Sequence, residues 1–354
     1  MRVEIEPVWR FRRDDGQSMV ILLDVLQELR TAGTITEAAG RANLSYRHCW
    51  NLIEKWAEFF GAPLVERARG RGTRLTPLGE KLVWAGQRLQ ARLRPQLQNL
   101  AQELETDLGE LLPQRTGVVR VHASHGFAVS KLREMLSRES DVVIDLRYVS
   151  NQNSLVSLAH GACELAGVHL PQGKLRRDAA ALLKPWLDDS THRIIGLVTR
   201  EMGLMVKRGN PRRITALDQL LGPGVRFVNR DPESGTRLLF DQLIAREELD
   251  ATRIDGYERV EFTHAAVAAY VASGMADAAF GVEAAAHQFD LDFVRLVTED
   301  YFFVCHKQTL ESDAVRRILA VMCSPGFHRE IARIPGYAIQ DAGQIKTTRE
   351  VLRR

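Results

Sequence analysis

The feature that most constrains the fold of this chain is a change of pattern at Gly117. Beyond it, apolar runs typical of strands alternate with segments of helical periodicity. In order these are VVRVHAS, HGFAVSKLREML, VVIDLRYVS, and SLVSLAHGACELAGVHL, a helix that runs into a further strand. Repeated β-α-β alternation predicts an open α/β domain with a largely parallel sheet. We therefore expect an α/β fold class, with this domain spanning residues 117–345.

The beginning of the chain has a different pattern, with short strands and longer helices. Residues 3–12 alternate between polar and apolar side chains as a strand does, and the turn sequence Asp14-Asp15-Gly16 follows them. From Ser18, a suitable N-cap, the segment MVILLDVLQELRTAG has helical periodicity and ends at Gly33. The sequence predicts a first helix over this segment.

Two further helices and a basic hairpin follow. Thr34 caps the short helix ITEAAGRA, and Tyr46–Phe60 is predicted as a third helix with an apolar face. The strand-like pieces LVERA and GTRLT then flank a glycine-rich, basic tip. Three helices followed by a basic hairpin predict a winged helix-turn-helix, which we place at residues 1–76.

A long helix is predicted to connect the two parts. It runs from Pro77 to Glu105, with an interruption at Pro95. We assign residues 77–112 as a linker and dimerisation helix, and we expect a hinge between Leu111 and Gly117.

The basic charge of the chain is concentrated near the predicted third helix. Between Arg41 and Arg94 there are eleven Lys and Arg residues against four acidic ones, so this segment carries about +7 while the whole chain carries +3. A basic segment on an otherwise weakly acidic protein is typical of nucleic-acid binding. Double-stranded DNA is therefore the expected macromolecular partner.

The helix-turn-helix pattern predicts which side chains meet DNA. The second helix of the motif enters the major groove with its N-terminal turn, and the wing follows the phosphate backbone. Hydroxyl, guanidinium, imidazole and amide groups at these positions suit contacts with bases and phosphates. The candidate DNA-contact residues are Thr34, Ser45, Tyr46, Arg47, His48, Asn51, Lys55, Arg67, Arg69, Arg71 and Arg74.

The composition indicates where such a protein works. The four cysteines are scattered, without the spacing of a disulfide framework or a metal site. The first residues lack the apolar core of a signal peptide, and no run approaches the length of a membrane span. We therefore expect a cytoplasmic protein without a membrane partner, which argues against a secreted solute-binding protein.

Several loops of the α/β domain end a strand and begin a helix with small polar residues. Free backbone N–H groups and hydroxyl caps at helix N-termini bind anions, and ligands of open α/β sheets lie beyond the carboxyl ends of the strands. These loops predict a site for a small anion or polar metabolite. The candidate ligand-binding residues are Ser124, His125, Ser150, Asn153, Ser154, His169, Ser234, Gly235, Thr236, Arg237, Thr263, His264, Glu299 and Tyr301.

The N-terminal segment resembles a known family. TITEAAGRANLSYRHCWNLIEKWAEFFGAPLVERARGRGTRLTPLGEKL is similar to the winged helix-turn-helix domain of ModE-type and LysR-type bacterial transcriptional regulators. The resemblance implies dimerisation through the long helix after Pro77, so that two DNA-binding domains bind a pseudo-palindromic operator. A homodimer or homotetramer is the expected assembly.

The second part carries a resemblance of its own. FVNRDPESGTRLLFDQL, GYERVEFTHAAVAAYVASGMADAAFGVEAAA and LDFVRLVTEDYFFV resemble the two-lobed, periplasmic-binding-protein-like domain of molybdopterin-related proteins. This resemblance implies a small anionic effector, molybdate or tungstate. The usual N-R-x-x-G-S-G-T-R motif, however, has Glu233 at its first glycine here. A carboxylate at this position disfavours a highly charged anion, unless it points away or pairs with Arg230 or Arg237, and leaves room for formate or another small carboxylate.

Three functions are compatible with these patterns. The first is a ligand-responsive transcriptional regulator. The second is a regulator whose C-terminal domain serves only as an oligomerisation scaffold. The third is an α/β enzyme, for which the sequence offers titratable groups but no P-loop, G-x-S-x-G motif, dinucleotide fingerprint or metal-ligand cluster. We expect the first, with no catalytic residues, no metal and no tightly bound cofactor.

Overall fold

A computed structural model describes residues 3–68, 72–110 and 117–352. The chain divides into two compact units. The smaller contains residues Glu6–Ala91, and the larger contains residues 3–5 and 92–352.

The small unit is a helical domain with two short hairpins. Its elements are β1 (Arg10–Arg12), β2 (Ser18–Val20), α1 (Leu23–Ala32), α2 (Ile35–Arg41), α3 (Tyr46–Phe60), β3 (Val65–Ala68) and β4 (Gly72–Leu75). The core between them contains Leu26, Ile53, Trp56 and Leu64, each at most 2% exposed. The second and third helices and both strands of the predicted wing therefore lie where the sequence placed them.

The beginning of the first helix was predicted wrongly. Ser18 does not cap a helix but begins β2, which pairs antiparallel with β1 through the turn after Arg13. The Trp56 indole Nε1 donates a hydrogen bond to the Val20 carbonyl at 3.3 Å. Pairing with β1 and this contact hold the segment extended, and α1 begins only at Leu23.

The long helix α4 (Pro77–Glu110) is continuous, so the predicted interruption at Pro95 is also wrong. A proline removes one backbone donor, and a long helix accommodates that loss by bending. Leu78, Leu82 and Val83 in its first turns pack in the core of the small unit, whereas residues from Arg92 onward belong to the large unit. Residues 111–116, which contain most of the predicted hinge, lie outside the described residues.

The large unit is the expected α/β domain. Its elements are β5 (Val118–Ala123), α5 (Phe127–Glu139), β6 (Val143–Tyr148), α6 (Asn151–Ala159), β7 (Leu165–Pro171), α7 (Arg176–Leu183), β8 (His192–Val206), β9 (Phe227–Arg230), α8 (Gly235–Arg246), β10 (Val260–Glu261), α9 (His264–Ala272), β11 (Ala278–Val282), α10 (Glu283–Gln288), β12 (Asp292–His306), α11 (Asp313–Met322), α12 (Pro325–Ala332), β13 (Tyr337–Ala338), β14 (Ile345–Lys346) and α13 (Thr348–Leu352).

One mixed sheet organises this unit into two lobes. The strand order is β10-β9-β11-β8-β12-β7-β5-β6, with β13 and β14 also paired to β8. We call β5–β7 with α5 and α6 the first lobe, and β9–β11 with α8 and α9 the second lobe. Pairing is parallel among β5, β6 and β7 and among β9, β10 and β11. The long strands β8 and β12 are antiparallel and run through both lobes, so the sheet is less parallel than predicted.

The described helices include none that is both long and apolar enough to cross a membrane.

Close approach of the long strands makes Gly203 a sensitive position. A Cβ atom at residue 203 would overlap the Val294 carbonyl oxygen on β12. We expect Gly203→Ala to destabilise the protein by roughly 1–3 kcal/mol or more, because the paired backbones must separate. Gly40→Ala is the control, since a Cβ there meets no atom within 4 Å; it should be stabilising by roughly 0.5–1 kcal/mol. Urea unfolding measures both, and equal stabilities would contradict the described strand packing.

Candidate functional site

The large unit contains a cavity of about 230 Å³ where its two lobes meet. Four parts of the fold form its walls: the first lobe, the second lobe, the strand β8 and the helix α4. The lining residues are Ser124, His125, Tyr148, Val149, Ser150 and His169 from the first lobe, Arg230, Asp231, Glu233, Ser234, Gly235, Thr236, Phe262 and His264 from the second, Arg200 from β8, and Arg92, Pro95, Gln96 and Asn99 from α4.

Three helices begin at this cavity. The Ser150 hydroxyl accepts a hydrogen bond from the Asn153 amide and caps α6, and the Ser234 hydroxyl accepts one from the Arg237 amide and caps α8. Thr263 caps α9 in the same way, through the Ala266 amide. The positive ends of the helix dipoles therefore point towards the cavity, which favours a negatively charged occupant.

Eight of the fourteen predicted ligand-binding residues line the cavity. They are Ser124, His125, Ser150, His169, Ser234, Gly235, Thr236 and His264. A Cβ atom on Gly235 would lie 2.9 Å from the Asn151 side-chain amide nitrogen of the first lobe, so the missing side chain lets the two loops meet.

The other six predicted residues do not line the cavity. Thr263 is the α9 cap, Asn153 supplies an amide to the α6 cap, and the buried Ser154 hydroxyl donates to the Gly167 carbonyl at 3.0 Å. Arg237 donates from Nε to Asp241 at 2.9 Å and lies over the Tyr257 ring. The remaining two, Glu299 and Tyr301, lie on β12.

Glu299 is the partner of Arg200 in a buried ion pair. Arg200 donates from Nε and Nη2 to one Glu299 oxygen, at 2.9 and 2.7 Å, and both residues are 2% exposed. The pair joins β8 to β12 at residues that are direct partners in the sheet. Tyr301 follows Glu299 by two residues on β12, and its ring packs against His169 with the ring centroids 3.8 Å apart. The charge of Arg200 is therefore largely compensated.

Arg230 differs from Arg200 in its hydrogen-bond partner, which is a backbone carbonyl and not a carboxylate. The sequence indicated it only as a possible partner of Glu233. Its Nη2 donates to the Phe262 carbonyl at 2.9 Å, but Nε and Nη1 are buried without a hydrogen-bond partner among the described residues. Burial, with the like charge of Arg200, lowers the pKa of Arg230 to about 9. A buried guanidinium with open donors at a cavity is suited to bind an anion.

The signal that could have found Arg230 was its place at the end of a buried strand. Phe227–Arg230 is buried at every position, and the arginine is its last residue before the α8 loop. A charged residue at the carboxyl end of a buried parallel strand lies where ligands of such sheets bind.

The cavity histidines are held in their neutral form. Burial lowers the pKa of His169 and of His264 well below the usual value, and nearby arginines lower both further. Burial, with Arg94 and Arg230, lowers the pKa of His125 to about 4. His169 Nε2 is hydrogen-bonded to the Ser124 hydroxyl at 2.6 Å. Neutral imidazoles offer hydrogen bonds to an anion without adding charge.

Glu233 is exposed and lines the cavity. The contacts of Arg237 go to Asp241 and Tyr257, and that of Arg230 goes to the Phe262 carbonyl. Together with Asp231, Glu233 keeps the total charge around the cavity low. The described part of the chain contains no group of three His, Cys, Asp or Glu side chains that could hold a metal ion.

The predicted DNA-contact residues of α3 and its N-cap are all exposed. Ser45 is the N-cap of α3 and accepts from the His48 amide at 3.2 Å, and Tyr46 is 52% exposed. We call these six residues the exposed surface of α3: Ser45, Tyr46, Arg47, His48, Asn51 and Lys55.

The other DNA-contact candidates are spread over α2 and the wing. Thr34 caps α2 and is exposed. Arg67 on β3 and Arg74 on β4 are exposed, and Arg67 lies 5.8 Å from the Trp50 ring centroid. Arg69 and Arg71 lie outside the described residues.

The buried histidines predict an acid-labile large unit. The folded pKa values of His169 and His264 lie below the unfolded value of about 6.5, so the unfolded chain takes up protons first as the pH falls. The free energy of unfolding should therefore be intact above about pH 6.5 and fall below it, by about 2 kcal/mol per histidine at pH 5. Urea unfolding at pH 7.5 and 5 measures this loss, and His264→Gln should reduce it. The exposed His287→Gln is the control; an equal loss in both variants would contradict the assignment.

Comparison with known proteins finds a matching family model in each unit. The model of the "PBP superfamily domain" matches residues 132–323, more than half of the chain. The model of the "Bacterial regulatory helix-turn-helix protein, lysR family" matches residues 21–80.

Three relatives are informative. The chain is 28% identical to "Uncharacterized protein YvgK" of Bacillus subtilis over 56% of its own length and 64% of that protein. It is 32% identical to "Molybdenum-pterin-binding protein MopB" of Rhodobacter capsulatus, over 25% of its own length and 34% of that protein. It is 22% identical to a "Probable RuBisCO transcriptional regulator" of Nostoc, over 91% of its own length and 89% of that protein. The chain thus spans less than two thirds of the length of YvgK and of MopB.

These matches agree with the order of the two units along the chain. The chain belongs to the PBP superfamily over more than half of its length, and the segment in front of that domain matches the model of the lysR-family helix-turn-helix.

Proposed function

We infer that this chain is a cytoplasmic, ligand-responsive transcriptional regulator. Residues 1–76 bind operator DNA, residues 77–112 mediate assembly into a homodimer or higher oligomer, and residues 117–345 sense a small anion. The observation that carries the sensing role is the buried Arg230 at a cavity between two lobes, whose Nε and Nη1 have no hydrogen-bond partner in the part of the chain that the structure describes. A domain that served only as an oligomerisation scaffold would have no need of this costly buried charge.

The DNA-binding role rests on the exposed surface of α3. Its N-terminal turn presents Tyr46, Arg47 and His48, with Asn51 and Lys55 following on the same helix. The core residues Ile53 and Trp56 hold the opposite face against the rest of the small unit. This division between an apolar and a polar face is what a recognition helix requires. One such helix makes few base contacts, which is why we propose an oligomer.

The charges around the cavity favour an effector with a low negative charge. The Arg200 charge is compensated by Glu299, and the carboxylates of Asp231 and Glu233 line the same cavity as Arg230. A monoanion such as formate or another small carboxylate matches one uncompensated guanidinium better than molybdate or tungstate does. The partial likeness to MopB, whose name refers to molybdenum-pterin, keeps the ModE-like alternative and its oxyanions in the test.

Removing the Arg230 charge tests the sensing role. Wild-type protein should gain about 2.7 kcal/mol of stability from an anion at 100 times its dissociation constant. We expect Arg230→Gln to abolish this gain and to leave the ligand-free protein as stable as wild type or more stable, by up to about 3 kcal/mol, because a buried charge is removed. Thermal unfolding with formate, acetate, sulfate, phosphate, molybdate and tungstate measures both effects.

The control is Arg253→Gln, which removes an exposed arginine from the same lobe. It should keep the full anion response. If no anion stabilises the wild-type protein, the cavity is not an anion sensor and the scaffold alternative is favoured.

Arg47→Ala tests the DNA-binding role. Losing one guanidinium from the exposed α3 surface should weaken operator binding by about 1–3 kcal/mol, because both charge and hydrogen bonds to DNA are lost. Stabilisation by anions should be unchanged. Fluorescence anisotropy with genomic fragments selected by the protein measures DNA affinity at two salt concentrations. Arg253→Ala removes the same charge elsewhere and should bind as wild type; an equal loss in both variants would contradict the assignment.

A further inference from the structure

The cavity has a wall that neither lobe provides. Arg92, Pro95, Gln96 and Asn99 of α4 line it. Their spacing of three, four and seven residues places them along one face of the helix. The wall is therefore a helical surface about two turns long, on the helix whose first turns pack in the core of the small unit.

One end of this wall is fixed to the first lobe. The Asn99 side-chain amide donates to the Tyr148 carbonyl at 3.3 Å, and its oxygen accepts from the Tyr148 amide at 3.0 Å. One turn further, Arg133 of α5 donates to Gln102 at 2.9 Å and to Glu105 at 3.4 Å. These contacts fix the helix beside the end of β6.

The other end lies against the second lobe through weaker contacts. The Arg92 guanidinium forms an ion pair with the buried Glu261, with 3.7 Å between Nε and a carboxylate oxygen, which is longer than a hydrogen bond. It also lies 5.8 Å from the Phe262 ring centroid. The Arg92 side chain is 48% exposed. A guanidinium carries five donors in a planar fork, and contacts of this kind leave it able to turn towards an anion in the cavity.

Arg230 lines the same cavity as Arg92 and also has donors that could bind an anion. Phe262 links the two arginines, because its carbonyl accepts from Arg230 and its ring lies beneath Arg92. Arg230 is 8% exposed and has two buried donor nitrogens that meet no acceptor within the described ranges. An anion held by Arg230 is therefore close to the α4 wall.

We propose that α4 is part of the effector site, with Arg92 as a second cationic ligand of the anion bound by Arg230. The helix that begins in the small unit thus contacts the effector itself, and occupancy of the cavity acts on it without an intermediate element. The anion stabilises the arrangement in which Arg92 faces the cavity, since only that arrangement gains the contact. This inference rests on the proposed function in one respect, namely that the cavity binds an anion.

The test compares two arginines of the same helix in the full-length protein. Arg94 is exposed and does not line the cavity, yet its charge helps to lower the pKa of His125. For the anion of the panel above that stabilises wild type most, calorimetric titration should show at least tenfold weaker binding in Arg92→Ala and less than threefold weaker binding in Arg94→Ala. Arg92→Lys, which keeps the charge but loses the planar fork, should be intermediate.

A second measurement separates contact from a general change in stability. Hydrogen exchange of the α4 amides of residues 92–99 should slow on addition of the anion in wild type and in Arg94→Ala, but not in Arg92→Ala. If Arg92→Ala and Arg94→Ala bind alike while Arg230→Gln does not bind, α4 is not a ligand of the anion and the proposed sensing role stands. If no anion of the panel binds wild-type protein, both proposals are wrong.

Discussion

The antiparallel pairing of β8 with β12 is the constraint on which the large unit depends. The two strands are partners from His192 with His306 to Val206 with Asp292, and each contributes to both lobes. Because β7 pairs with one half of β12 and β11 pairs with one half of β8, both lobes are joined to the same pair of strands. The cleft between them is therefore a consequence of the strand order. The pairing also sets Arg200 opposite Glu299, which brings one compensated cation to the floor of the cavity.

The chemistry of the cavity follows from an imbalance between two buried arginines. Arg200 has a carboxylate partner at hydrogen-bond distance, and only its Nη1 is buried without a partner among the described residues. Arg230 has a backbone carbonyl as its partner and two such nitrogens, Nε and Nη1. Around them, histidines kept neutral by burial and the N-termini of α6, α8 and α9 supply donors without formal charge. We propose that such a site favours an anion with a single negative charge, because the carboxylates of Asp231 and Glu233 line the same cavity. The proposed regulatory role requires that anion binding in the large unit affect the small unit. The helix α4 belongs to both units and is continuous.

Sequence patterns predicted local structure well and partnerships poorly. Tyr46–Phe60, the Thr34 cap and the wing strands were predictable because periodicity and capping are local properties. The strand at Ser18 was not, because pairing with β1 and the Trp56 contact overrode the helical preference. The continuity of α4 at Pro95 was not either, because a long helix accommodates the loss of one backbone donor. The same limit applied to the site: helix-capping loops were recognisable, but whether Arg200, Arg230 or Arg237 lacks a counter-charge depends on residues distant in sequence. Only the fold shows that Glu299 and Asp241 each supply a carboxylate to one of these arginines, Arg200 and Arg237.

We propose that anion binding and DNA binding are coupled in one chain, and the reciprocity of linkage offers the most direct test of this coupling. If the anion changes operator affinity by some factor, operator DNA must change anion affinity by the same factor. Calorimetric titration of the anion into the free protein and into its operator complex measures this factor without any substitution. If anion binding and DNA binding are coupled, the dissociation constant of the anion for the free protein differs from that for the operator complex. The ratio of the two constants then equals the change in DNA affinity measured at saturating anion. Identical dissociation constants in the two titrations would contradict the proposed coupling.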